Sequence, residues 1–326
     1  MLFLWMGLFS PAHAETITLS VPGPGNMAFL PVYLAKAIGA DHDEGLELKL
    51  RYFNGGPLAM RDLMAKNSDF SVLGLSVVAA ARADDQPVVA IGQLSQSAMF
   101  VFLLRADLQG KISTLAQLKG KRIGTPTGTG HQRSLGQMVA EHLLLGAGLK
   151  LNDVQFISTG LNRESQHAAF SSATIDAMMA DEPFASEMIA QGLAVRLADL
   201  YNQKKSNELL GGSIVRAALV TRAEVYAMHP ATVKKVRRMF SRALLWLSGH
   251  SSQEIADQLA SQPGFDASRN RLLVDVLQRG HGMFPNRLEW DAQAVANTEQ
   301  FFHQMSGNPA DAQLRFSDFI LKLPEN

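Results

Sequence analysis

From Glu15 onward the chain alternates short apolar runs with helical stretches, and the runs stop on glycine, serine, asparagine or glutamine. Such alternation is the signature of helices layered on mostly parallel sheets. Thr16–Val21 reads as a first strand, followed by the loop Pro22–Asn26 and a helix over Phe29–Ile38. Leu46–Tyr52 alternates as a second strand. Asn54-Gly55-Gly56-Pro57 then opens a helix with proline near its first position, where a missing N–H does no harm. Phe70–Leu75, ending at Ser76, and Val88–Gly92, ending in Gln93, Ser95 and Ser97, read as the next two strands. Open sheets of this kind bind ligands beyond the carboxyl ends of their strands, where these polar residues fall.

A second polar turn lies in Lys119–Gly148. The strand Arg122–Gly124 runs into the loop Thr125–Gly130, and a helix follows with Leu135, Met138, Val139, His142 and Leu143 on one face. Small residues let a ligand approach the backbone, and a helix start offers unpaired N–H groups with a positive dipole end. The segment is no P-loop, because no Gly-Lys-Ser/Thr follows, and Gly128-Thr129-Gly130 lacks the third glycine of a dinucleotide fingerprint. A cradle of backbone without reactive side chains predicts binding rather than chemistry. An ordinary strand-to-helix turn, with Thr129 as a helix cap, is the simpler alternative.

The two halves echo one another. Pro57 to Ser76 runs helix, Asn67–Phe70, strand, polar loop; Glu164 to Phe184 repeats it as helix, Ala173–Asp176, the strand Ala177–Ala180 and the loop Asp181–Phe184. Phe100–Leu104 and Ser213–Val220 are read as crossings between the halves. The expected division is 15–104 with 213–326 as one lobe and 105–212 as the other, the remainder being helical to Phe316–Leu323.

With 326 residues, 47% of them hydrophobic, the chain can build two substantial cores. Thirty basic and thirty acidic residues cancel, so neither nucleic acid nor an anionic membrane surface is an expected partner. The basic cluster Lys234, Lys235, Arg237 and Arg238 reads as the solvated face of an amphipathic helix with Val233, Val236, Phe240, Ala243, Leu244 and Leu247 beneath. The absence of cysteine removes disulfides, thiolate metal sites, cysteine nucleophiles and a lipid-anchoring cysteine together. Residues 1–14, MLFLWMGLFSPAHA, read as a signal peptide cleaved after Ala12-His13-Ala14, with a true start upstream because no basic residue precedes the apolar run. A soluble periplasmic monomer without cofactor or metal is expected.

Phe29–Lys36, Glu44-Gly45-Leu46, Ser68–Gly74, Leu115–Gly124, Ile175-Asp176-Ala177 and Asp181–Phe184 occur in an order that resembles the type II periplasmic solute-binding proteins of ABC importers. The group in question serves taurine, aliphatic sulfonates, nitrate and thiamine-pyrimidine precursors. The resemblance, which runs from about Thr16 to Val220, implies a two-lobed α/β fold, the lobes joined by a two-strand hinge, closing on one small molecule and presenting it to an inner-membrane permease. Carried onto this chain, it places Asn26, Met27, Phe29, Asn54, Gly55, Gly56, Ser76, Gln93, Ser95 and Ser97 on one side of a cleft. Thr127, Gly128, Thr129, His131, Thr159, Asp181, Glu182 and Phe184 face them.

Micromolar affinity needs about −8 kcal/mol, more than four or five neutral hydrogen bonds at about 1 kcal/mol each supply. The ligand must add charge or apolar area. Met27, Phe29, Met99, Phe100 and Phe184 favour an aromatic or apolar body; a small sulfonate, met by Arg133 or Arg163, comes second. An enzyme of the same fold is one alternative, though the known ones use cysteines or are cytoplasmic, and the nine histidines form no His-Glu-x-x-His. A periplasmic sensor subunit is the other.

Overall fold

The computed structural model describes residues 14–125, 134–159, 162–266, 268, 270–280, 282–307 and 309–323. Two five-stranded mixed sheets carry the chain. The first holds β1 (Glu15–Pro22), β2 (Leu46–Phe53), β3 (Phe70–Leu73), β4 (Val88–Gln93) and β10 (Ala218–Arg222), in the order β2-β1-β3-β10-β4. The second holds β5 (Phe100–Arg105), β6 (Arg122–Thr125), β7 (Gln155–Ser158), β8 (Ala177–Asp181) and β9 (Ala194–Asp199), in the order β7-β6-β8-β5-β9. In each sheet the fourth strand alone runs antiparallel to its neighbours: β10 to β3 and β4, β5 to β8 and β9. The echo in the sequence has a physical basis, since β3 and β8 occupy the same third place and each follows a helix.

Each antiparallel strand is the one that arrives from the other sheet. Pairing puts Phe100–Arg105 in the second sheet, so the chain passes between sheets ahead of it, over Leu94–Met99, and not at Leu104. It returns over Gly211–Ala217, before β10 begins. The two passages are bonded together: Leu94 N donates to Ala217 O at 2.9 Å, and Ala217 N to Ser95 Oγ at 2.8 Å.

The C-terminal helices are shared between the lobes. On the helix Ala292–Met305, Ala294 and Phe302 join the core of the first sheet, whereas Phe301 and Met305 join that of the second. Thr298 Oγ1 accepts from Val215 N at 2.8 Å, and Asn297 Nδ2 donates to Ser213 O at 3.1 Å, which ties this helix to the returning passage. On the helix Pro230–Gly249 the apolar face expected from the sequence is buried. Its basic face, expected to be only solvated, instead grips the first lobe: Arg238 and Arg242 both bond the buried Glu44 carboxylate, and Lys235 bonds Glu15.

Three of the expected elements take a different form. Phe70–Leu75 is cut short at Leu73, because Gly74 starts the helix Leu75–Ala83 and Ser76 sits in its first turn. Ser213–Val220 becomes strand only from Ala218. Phe316–Leu323 is a short 3-10 turn, Phe316–Asp318, followed by an extended tail that bonds Ala90 from both sides and covers the free edge of β4.

Gly92 shows how tightly the C-terminal segment seats on β4: an added Cβ would lie 2.4 Å from Leu288 Cγ. Gly92→Ala is expected to destabilise the protein by about 1–3 kcal/mol through overpacking, read as a lower midpoint in urea unfolding.

Candidate functional site

The parallel strands of both sheets end in loops that meet. After β1, the loop Gly23–Asn26 leads into the 3-10 turn Met27–Phe29, capped by Asn26 Oδ1, which accepts from Ala28 N at 2.9 Å. After β8, the loop Asp181–Pro183 leads into the helix Phe184–Ala190. Met27 N donates to Glu182 O at 3.1 Å, and Arg163 Nη2 donates to Gly25 O at 3.3 Å. Both bonds join the first lobe to the second.

Behind these loops stands Arg216, on the returning passage. Its guanidinium lies 4.0 Å from the Phe100 ring centre and 5.9 Å from that of Phe29, one ring from each lobe. One nitrogen, Nη2, donates to Asp181 Oδ1 at 2.6 Å. Among the described residues its buried Nε–H has no acceptor and the buried Ser76 hydroxyl has no partner. The Ser76 hydroxyl and the backbone of Arg216 lie in one neighbourhood: the position a Cβ would take on Gly74 is 3.4 Å from Arg216 O, 3.7 Å from Ser76 Oγ and 3.9 Å from Leu135 Cδ2. Buried donors without acceptors are rare in folded proteins, and a ligand is one of the few things that resolves them. Apolar side chains, two unpaired donors and a half-buried carboxylate suit capture of a polar group on an apolar body.

Glu182 turns the other way. It is wholly buried and receives Ser186 N and Oγ, each at 2.9 Å, together with Arg279. Nearby Tyr201 is also buried, its hydroxyl without a partner among the described residues. Burial, then the Glu182 and Asp181 charges, push its phenol well above the ordinary value, so it remains a neutral O–H donor.

The residues expected at the cleft are therefore distributed unevenly. Met27, Phe29, Ser76, Asp181 and the Glu182 carbonyl gather around the junction just described. Phe184 is buried as the first residue of its helix. Gly55, at φ +109°, turns the chain into the helix Gly56–Met64, an added Cβ on Gly56 would sit 3.0 Å from Val77, and Asn54 is exposed beside them. Gln93, at the end of β4, and Ser95 and Ser97, in the first passage, are wholly buried: Gln93 Oε1 accepts from Asp291 N at 3.0 Å, Ser95 Oγ accepts from Ala217 N, and Ser97 Oγ donates to Leu200 O at 3.3 Å. Thr159 Oγ1 donates to Thr125 O at 3.1 Å, closing the end of β6. Thr127, Gly128, Thr129 and His131, like Arg133, lie outside the described residues.

Arg216 was missed from the sequence. The available signal was a single charge inside the otherwise apolar run Ile214–Val220. A cavity of about 350 Å³ elsewhere, lined by Glu15, Asp69, Arg222 and His229, opens at the amino ends of β1 and β3, away from these loops. Its buried Arg222 is committed to Leu63 O, Ser68 O and Glu224.

A family model described as NMT1/THI5 like matches residues 26–253. A Brucella abortus protein provisionally named as a binding protein is 25% identical over 222 residues, 68% of this chain. That alignment spans 64% of the Brucella protein, a little under two thirds of its length. A Bacillus subtilis protein provisionally named for binding aliphatic sulfonates is 28% identical over 299 residues, 89% of this chain and 82% of its own. Among solved structures, a Bordetella bronchiseptica protein superposes with a TM-score of 0.80 at 20% identity, over 94% of this chain and 95% of that one. The alkanesulfonate-binding protein SsuA of Xanthomonas axonopodis, solved with MOPS bound, superposes at 0.74 with 16% identity, over 95% and 99%. The desulfurization enzyme DszB shares the fold at 0.62 and 16%, over 93% and 98%. The fold is that of the two-lobed periplasmic binding proteins.

Proposed function

We propose a transport role, from the premise that the chain belongs to the NMT1/THI5-like family: it captures one small solute between its lobes and delivers it to an inner-membrane ABC permease. Arg216 carries this reading. A guanidinium held between an aromatic ring of each lobe, with one N–H unpaired, supports a binding group at the point where the lobes meet.

The proposed contacts are the loops at Asn26–Phe29, Asn54–Gly56 and Ser76 on one side, and Thr127–His131, Thr159 and Asp181–Phe184 on the other, with Arg216 added at their base. Ser95 and Ser97 act through the passage they brace, and Gln93 through its bond to Asp291. The favoured solute has an aromatic or apolar body that packs on Phe29 and Phe100 and an acceptor group that takes the Arg216 and Ser76 donors. Because Asp181 already neutralises Arg216, that acceptor need not be anionic; a sulfonate is the second form, supported by the names of the Bacillus and Xanthomonas proteins. Ligand bridging the lobes favours the closed form by its differential affinity for it, and the closed form docks on the permease.

Export fits residues 1–14 as a signal segment, and no helix among the described residues is long and apolar enough to cross a membrane. Native mass spectrometry of the gently purified protein, followed by denaturation and identification of what is released, tests the reading. A single retained small molecule, with compaction in X-ray scattering when it is restored, is the expected result. Chemical turnover of that molecule, or no compaction at saturation, would overturn it.

A further inference from the structure

We infer that Arg279, at the end of the C-terminal helix Asn270–Arg279, is a positioning residue for solute capture, fixing the loop Asp181–Phe184 through the buried Glu182 carboxylate. The inference rests on the reading that this loop lines the solute site; Arg279 itself lies outside the span 26–253 matched by the family model.

The two adjacent acids at the end of β8 point in opposite directions. Asp181 meets Arg216 on the returning passage, and Glu182 enters the interior, where Arg279 is its only cationic partner among the described residues. Arg279 serves several groups at once: Nη1 donates to Asp199 Oδ2 at 2.9 Å, and Nη2 to Ser186 Oγ at 3.0 Å as well as to Glu182. Its guanidinium carbon lies 5.7 Å from the Tyr201 ring centre. The planar fork therefore joins the ends of β8 and β9 and the first turn of the helix Phe184–Ala190.

The backbone of the same Glu182 receives Met27 N from the first lobe. One residue thus carries the interlobe hydrogen bond on its carbonyl and the C-terminal anchor on its carboxylate. Without Arg279, Glu182 is left as a buried carboxylate with Ser186 as its only donor among the described residues, an arrangement that drives the side chain toward water. Its exit would displace Asp181 from Arg216 and the Glu182 carbonyl from Met27 together. A binding loop held in advance costs less to order when solute arrives.

Hydrogen–deuterium exchange on the solute-free protein, comparing wild type with Arg279→Met, Arg279→Lys and Glu182→Gln, tests this without a ligand. Arg279→Met should speed exchange of the Phe184–Met188 amides by 10-fold or more while β1 amides keep their rates. Arg279→Lys should fall between. Glu182→Gln, which keeps the shape and removes the charge, should speed the same amides even if the methionine variant folds poorly. Calorimetric titration with MOPS should then show at least 10-fold weaker binding in Arg279→Met, partly recovered in Arg279→Lys. Wild-type exchange across Phe184–Met188 in the folded variants, or unchanged MOPS affinity, would overturn the inference. A wild-type protein that takes no MOPS counts against the sulfonate form of the solute alone, and the exchange rates still decide the role of Arg279.

Discussion

Replacing Arg216 with methionine is expected to weaken solute capture by roughly 10- to 150-fold, about 1.5–3 kcal/mol, the range for a hydrogen bond from a charged donor. Methionine fills much of the space between Phe29 and Phe100, so both lobes should stay folded. What disappears is the unpaired Nε–H and the charge that Asp181 balances. Calorimetric titration with the solute identified in the purified protein measures the loss, and thermal unfolding without solute provides the control. Affinity within about 3-fold of wild type, a difference of roughly 0.6 kcal/mol, would remove Arg216 from the site. Asp181→Asn should have a smaller effect, since its exposed side can be reached by water and the guanidinium keeps its ring contacts.

Asp176→Ala should do the opposite, costing about 3 kcal/mol of stability with little change in affinity. Asp176 precedes β8 and lies roughly 16 Å from Asp181 at about 3.3 Å per strand residue. Its carboxylate accepts from Arg122 N at 2.9 Å, from Arg122 Nη2 at 2.8 Å and from Arg105 Nη1 at 3.2 Å, so it staples β5, β6 and β8 at one end of the second sheet. Burial alone would raise its pKa, but the bonds from Arg122 and the charges of Arg122 and Arg105 outweigh burial and hold it below the usual carboxylate range. A depressed folded value means that this stabilisation is fully present above the unfolded value near ~4. It is lost as pH falls through the folded value. Urea unfolding from pH 7 down to about 3 should show wild type losing stability toward acid, with the gap to Asp176→Ala narrowing. A constant gap across that range would assign the cost of the substitution to packing.

Part of this was legible in the residues. Apolar runs such as Phe70–Leu73 are buried on both faces and announce central strands without help from context. The strand-end loops at Asn26 and Asp181 carry their own turn chemistry, and so could be placed from sequence. The edges could not. β7 and β9 are short, partly exposed, and paired on one side only, to β6 and β5, so neither needs the apolar pattern by which strands are recognised. The tail at Phe316–Leu323 has helix-compatible spacing, yet the free edge of β4 claims its backbone.

The sequence by itself determined the layered α/β class, the two similar halves and the stations where polar loops end the strands, because periodicity and turn residues act locally. Only the tertiary structure decided which of those loops meet, that Asp181 and Glu182 face apart, and that Arg216 and Arg279 are their partners. Those pairings join residues 35 and 97 positions apart, and no local pattern encodes a contact made only when two lobes and a C-terminal helix close on one another.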